Sequence, residues 1–283
     1  MVARPVPTAR RARLAAELRK LRERAGMTAT EAAAAIGTSS GQLSNVETAR
    51  FGVSPDRVRA MARVYSVCDS QLVDALAAMA ADRTNGWWDQ YREVLPPSLL
   101  DLAELEHHAL ALRAAYTAHV PGLLQTADHA REVFRQVVPE LTPPEVEHRV
   151  SHRIKRQDVL YRSDPIPYTA IIHEAALRMQ FGGRTVVKGQ LAHLMEMGQR
   201  SQVRILVIPF DAGSFPGAGQ SIYYAHGPVP QLDTVHLDQS HGPALVDAEA
   251  RLDGYRLLLG RMETMALGRE ESSQFIHSIL RTL

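Results

Sequence analysis

Ser40, Gln42 and Asn45 lie within one short stretch and carry side chains suited to reading a hydrogen-bonding edge. The primary amides of Gln42 and Asn45 each set a donor beside an acceptor, the complement of the N6/N7 edge of adenine in a DNA major groove, and a serine hydroxyl pairs with either kind of base atom. Gly41 between them permits close backbone approach. Thr28, Ser39, Ser44 and Arg50 carry hydroxyl or guanidinium groups that suit phosphate oxygens, and Arg10, Arg11 and Arg13 form a basic arm placed to follow the DNA backbone or enter the minor groove. The expectation is base contact by Ser40, Gln42 and Asn45 and phosphate contact by the other seven. Simpler roles stand beside it: Gln42 completing a helix cap, Asn45 facing solvent, Arg50 paired with Glu47.

Other constellations carry less. His173-Glu174-Ala175-Ala176-Leu177 begins like the zinc-protease pattern His-Glu-x-x-His, but Leu177 stands where the second ligand belongs. His148 and His152 have i, i+4 spacing, yet Arg149, Arg153, Lys155 and Arg156 surround them and oppose a dication. The glycine-rich stretch Phe210 to Gly219 lacks the Gly-Lys-Ser/Thr ending of a phosphate-binding loop and precedes a strand. Ser240, His241, His236 and Asp238 supply triad residue types without a nucleophile elbow. Cys68 is the only cysteine, which excludes an internal disulfide and a thiolate-rich zinc site. No catalytic residue, metal ligand or cofactor is expected, and the chain reads as a non-enzyme.

The elements that position these side chains are legible from caps and spacing. Leu14, Leu18, Leu21 and Ala25 share a helical face before Gly26, and the capping box Thr28-Ala29-Thr30-Glu31 opens an alanine-rich helix that Gly37 stops. Ser39-Ser40-Gly41-Gln42 repeats the device, with Leu43 and Val46 on the inner side of the helix it starts. Small Ala33 lets this helix pack closely and steeply over its predecessor, the geometry of a helix-turn-helix. Ser54-Pro55-Asp56 announces a fourth helix with Val58, Met61, Ala62 and Tyr65 inward, and another runs from Asp69-Ser70 to about position 83.

Charge supports a polyanionic partner at this end. The 283 residues sum to +1, but residues 1–65 carry +7, residues 66–130 carry −6 and the remainder is neutral. Eight basic residues, Arg4 among them, fall in the first 24. With 45% apolar and 22% charged residues, the composition excludes a disordered or collagen-like chain. No apolar run approaches the roughly 18 residues of a membrane helix, and no signal-peptide core precedes the first helix, so a cytoplasmic protein without membrane contact is expected.

The remainder reads as a larger α+β domain with a mostly antiparallel sheet. Trp87-Trp88 lies in a linker over 81–98 and reads as an aromatic anchor, with the helix-turn-helix domain of about five helices over 1–80 and the α+β domain over 99–283. Helices are expected from Leu99 to Tyr116, after the turn Val120 to Thr126, from Pro143 to about Tyr161, near Gly189 to Arg200 and from Asp247 to Ala266; strands are expected at Tyr168–Ile172, Val203–Phe210, Ser221–Ala225 and Thr234–Leu237.

The stretch from Gly26-Met27-Thr28 to Ser44-Asn45-Val46-Glu47 resembles the XRE (Cro/cI-like) helix-turn-helix regulators, which usually carry Gln and Leu where this chain has Ala29 and Ala32 and often Arg at the position of Asn45. Trp87-Trp88, Val120 to Thr126, His173 to Arg178 and Ile208 to Gly213 resemble the large domain of WhiJ-like actinomycete regulators. The resemblance implies a DNA-binding transcriptional regulator, antitoxin-like in arrangement, that works with a small acidic companion protein. Double-stranded DNA, a second copy of the chain and a small-molecule effector are the further partners expected. Two other readings remain: an antitoxin that sequesters a small partner, and a ligand-binding or enzymatic domain recruited to nucleic acid by the basic one.

Overall fold

A computed structural model describes residues 7–82, 86–238 and 242–283, so that Arg4, Ser240 and His241 lie outside the described residues. The chain divides into two units, Met1–Asp89 and Gln90–Leu283.

The first unit is helical throughout: α1 (Ala9–Arg24), α2 (Ala29–Ile36), α3 (Ser40–Glu47), α4 (Pro55–Val64) and α5 (Ser70–Ala81). Each begins at a residue whose side-chain oxygen accepts a hydrogen bond from a first-turn N–H: Thr8, Thr28, Ser39, Ser54 and Asp69. Gly26 and Gly37 follow α1 and α2 at φ +70° and +73°, a conformation that costs residues with a Cβ. Leu14, Leu18 and Leu21 of α1, Ala32 and Ala33 of α2, Leu43 of α3, and Val58, Met61, Ala62 and Tyr65 in and after α4 are buried. Ala25 departs from the expected apolar face: it is the exposed residue that ends α1.

The second unit runs α6 (Pro97–His108), β1 (Ala111–Tyr116), α7 (Ala127–Arg135), α8 (Pro143–Arg156), β2 (Tyr168–His173), α9 (Glu174–Arg178), α10 (Gly183–Gly198), β3 (Val203–Ile208), β4 (Ile222–His226), β5 (Thr234–Leu237), β6 (Ala244–Val246), α11 (Glu249–Met265) and α12 (Arg269–Thr282). The strands form one sheet in the order β3-β2-β1-β4-β5-β6. Three of its pairings are antiparallel, while β1, β2 and β3 run parallel. Parallel strands need long crossovers, and α7 to α8 and α9 to α10 supply them.

Both faces of the sheet are covered. Ala114, Ala170, Ile172, Val207 and Tyr223 pack with Leu191 and Leu194 of α10 and Ile276 and Ile279 of α12. Residues one step along the same strands, Ala115, Ile171, Leu206 and Tyr224, pack on the other side with Leu252, Leu259 and Met262 of α11. The two-residue period of the strand thus divides two cores.

One expected helix is corrected. Leu99 to Tyr116 is not continuous: α6 ends at His108, Ala109 is extended, and Ala111–Tyr116 is a strand between β2 and β4. Alanine favours helix locally, but here two strand partners and two apolar faces outweigh that preference, and Ala114 and Ala115 leave no side-chain surface exposed. The segment after Ala266, not assigned from sequence, forms α12, and Ala244–Val246 adds an edge strand.

Candidate nucleic-acid interface

The local chemistry of α3 fixes which side chains it offers outward. Leu43 and Glu47 are buried on one side and Val46 is half-buried; Ser40, Gly41, Gln42 and Ser44 are exposed, and Asn45 is half-buried. At about 100° per residue, Gly41 and Asn45 lie opposite Leu43, Ser44 and Gln42 stand roughly 80° to either side of that direction, and Ser40 falls about 20° from the buried Glu47. Of the expected base readers, Asn45 is therefore central to the outward side but lies in the second half of the helix, Gln42 flanks it, and Ser40 sits at the first turn close to the buried side. Ser44, read from sequence as a phosphate contact, is exposed at one edge of the outward side, about 100° around the helix from Asn45.

The cap differs from the reciprocal box read in the sequence. Ser39 Oγ accepts from the Gln42 N–H at 3.2 Å, but the Gln42 side chain accepts at Oε1 from the Thr38 hydroxyl at 2.6 Å instead of reaching the cap backbone. This contact restrains the Gln42 amide. Nothing lies within 4 Å of where a Gly41 Cβ would stand, so the helix surface there is open.

The expected phosphate contacts divide. Ser39 and Arg50 are exposed, and Arg50 and Arg11 line one groove with Phe51. The Thr28 hydroxyl is engaged by its own capping box, donating to Glu31 Oε2 at 2.7 Å, and those hydrogen bonds hold the Glu31 carboxyl below its ordinary range. Arg10, Arg11 and Arg13 lie inside α1 instead of forming an extended arm, because Thr8 caps the helix ahead of them. Arg11 is exposed, Arg10 half-buried, and Arg13 is turned back onto Glu17 at 2.8 Å.

One residue pair is not foreseen from the sequence. Arg22, there simply one more basic charge, is buried and donates to both Glu47 oxygens, at 2.7 and 2.9 Å, and to the Met27 carbonyl at 2.7 Å. The partner considered for Arg50 is thus taken by Arg22. Burial and the nearby Glu47 charge push the Tyr65 phenol up to about 12. The bidentate pair ties α3 to α1 and sets the angle at which the outward face is presented. Its sequence signal is that Arg22 lies four residues after Leu18, on the buried side of α1.

The alternative chemistries are placed apart from any site of this kind. Glu174 accepts from Arg178 Nε at 2.6 Å and from the Phe210 N–H at 2.8 Å. His152 is buried edge-on to Tyr91, whereas His148 is exposed, so their helical spacing does not make a pair. His236 is buried on β5 and Asp238 is exposed just beyond it. Among the described residues no group of three or more histidine, cysteine or acidic side chains could hold a metal, and no helix is long and apolar enough to cross a membrane.

Comparison with known families agrees with the division of the chain. A model described as a helix-turn-helix domain matches residues 13–76, and one described as a domain of unknown function, DUF5753, matches residues 99–278. No curated protein and no solved structure matches. The helix-turn-helix match supports a DNA-binding regulator. Since the second match spans more than half of the sequence, the chain belongs to the DUF5753 family, with a helix-turn-helix domain ahead of the family domain.

Proposed function

We propose that this chain is a sequence-specific transcriptional regulator that binds double-stranded DNA through α3, in the manner of the XRE and WhiJ-like regulators its motifs resemble. The observation that carries the reading is a serine-capped helix with Ser40, Gln42 and Ser44 exposed and Asn45 half-buried opposite Leu43, pinned to α1 by the buried Arg22–Glu47 pair. Arg11 and Arg50 supply backbone positioning beside it.

A module of this size buries too little surface for operator affinity by itself, so the protein acts as a homodimer on half-sites about 34–36 Å apart. The larger unit dimerises and receives a signal from a companion protein or a small molecule. It acts by binding and not by catalysis, in the cytoplasm.

Selection of bound sites from random duplex DNA by the full chain, followed by salt titration of the winners, tests this reading. A repeated half-site that keeps its preference as salt rises is expected. Enrichment of no motif, with all affinity lost to salt, would mean a merely basic surface.

A further inference from the structure

A second polar constellation lies in the larger unit, at the carboxyl end of β1. There β1 lies between its parallel neighbour β2 and the antiparallel β4. Tyr116 ends β1 and His119 follows it; α7 brings His129, α8 brings Arg153, and the segment before α10 brings Phe181. The rings of His119 and His129 pack on Phe181 with centroids 5.1 and 5.5 Å away.

Arg153 is held in place on several sides and left without an opposite charge. Its stem lies across Gly122, where an added Cβ would stand 3.3 Å from Cδ. Its guanidinium covers the Phe134 ring at 4.5 Å and donates to Gln125 Oε1 at 2.5 Å. Gln125 is itself buried, with its amide donating to the Val120 carbonyl at 2.7 Å, which closes the turn that starts at Val120. Among the described residues Arg153 has no carboxylate partner. The neighbouring Arg156 is neutralised, donating to both oxygens of Glu106 at 2.6 and 2.7 Å while the Tyr223 hydroxyl also donates to Glu106.

His129 is 2% exposed, and neither ring nitrogen meets a hydrogen-bond partner among the described residues; His119 Nδ1 and the Tyr168 hydroxyl are in the same position. Buried polar atoms left this way are costly and call for an explanation. Burial, with the His119 and Arg153 charges, lowers His129 to about 4, and burial beside Arg156 lowers Arg153 to about 10. Asp238 is the exposed acidic group within electrostatic reach, and Tyr116, His236 and Glu106 complete the ionisable surroundings. One guanidinium without an ion-pair partner suits a singly charged ligand.

We propose that the carboxyl end of β1 is a binding site for a small organic anion, whose carboxylate or phosphate group pairs with Arg153 while the His119, His129 and Phe181 rings flank its body. The site gives the small-molecule control proposed above a location, and it rests on that reading only for its consequence; binding is measured without DNA, so that the two fail separately.

Benzoate and inorganic phosphate, titrated into the full chain at constant ionic strength while the histidine ring signals are followed by NMR, test the site. A saturable shift of the His119 and His129 signals with at least one probe is expected, weakened about tenfold or more in Arg153→Gln. Should that variant melt early, His119→Ala, at a half-exposed position, must weaken binding in its place. Absence of saturation with both probes, or saturation unchanged in the variants, would overturn the proposal and leave Arg153 as a prop for the Gln125 turn.

Discussion

Arg22 and Arg153 are both drawn away from solvent, and their surroundings differ. Arg22 in the helical unit meets both oxygens of Glu47. Arg153 in the larger unit meets a glutamine oxygen and an aromatic face. A buried cation with its own carboxylate fixes geometry, while one held by neutral groups retains its attraction for an anion. The first unit therefore uses its buried charge to aim an exposed surface, and the second keeps a charge in reserve.

Breaking the matched pair should have the largest effect. Glu47→Ala leaves Arg22 buried without its counter-charge and is expected to cost about 3–5 kcal/mol in urea unfolding and to abolish DNA binding. Retained stability and binding would show that α3 is held by its apolar contacts alone.

Acid should act next, and through the larger unit. His129 and His152 are neutral in the folded protein, lowered to about 4 and about 3 by burial and neighbouring arginines. Both ordinarily titrate near 6.5 when unfolded, so below that pH the unfolded chain takes up more protons than the folded one. Stability is thus complete above about pH 6.5 and falls as the pH drops toward 4, by up to about 1.4 kcal/mol per pH unit for each histidine. His129→Gln should flatten the slope of unfolding free energy against pH over that window; an unchanged slope would remove His129 from the account.

Smaller effects sharpen the contrast. Arg50→Ala should weaken binding to all DNA sequences alike and reduce the salt slope by about one unit, read from affinities at several salt concentrations. Arg153→Gln should change stability by less than about 1 kcal/mol, because it removes a charge that no carboxylate compensates. A destabilisation comparable to that of Glu47→Ala would make Arg153 structural like Arg22.

The helical unit is largely legible in the sequence because its signals are local. Thr28 with Glu31, Ser39 with Gln42 and Ser54 with Pro55 mark helix starts within four residues, and the burial of Leu18, Leu43 and Met61 follows from spacing. The Arg22–Glu47 pair is not legible, since it joins residues 25 apart and each looks like ordinary surface charge. In the larger unit, β1 is hidden by its alanines, which suit a central strand only because two neighbouring strands and two cores close over them. The Arg153 cluster brings Gln125 and His129, around the start of α7, together with α8 and the distant Phe181, and no spacing announces such an assembly.

The central claim is that the outward face of α3 reads bases, and the most direct measurement is the motif selected from random DNA by Gln42→Ala/Asn45→Ala beside that of the unaltered chain. Altered or relaxed preference at positions within each half-site is predicted, at about 1–3 kcal/mol for each bidentate pairing that the substitutions remove, with the salt slope preserved. An identical motif at identical affinity would contradict the assignment and place recognition elsewhere on the protein.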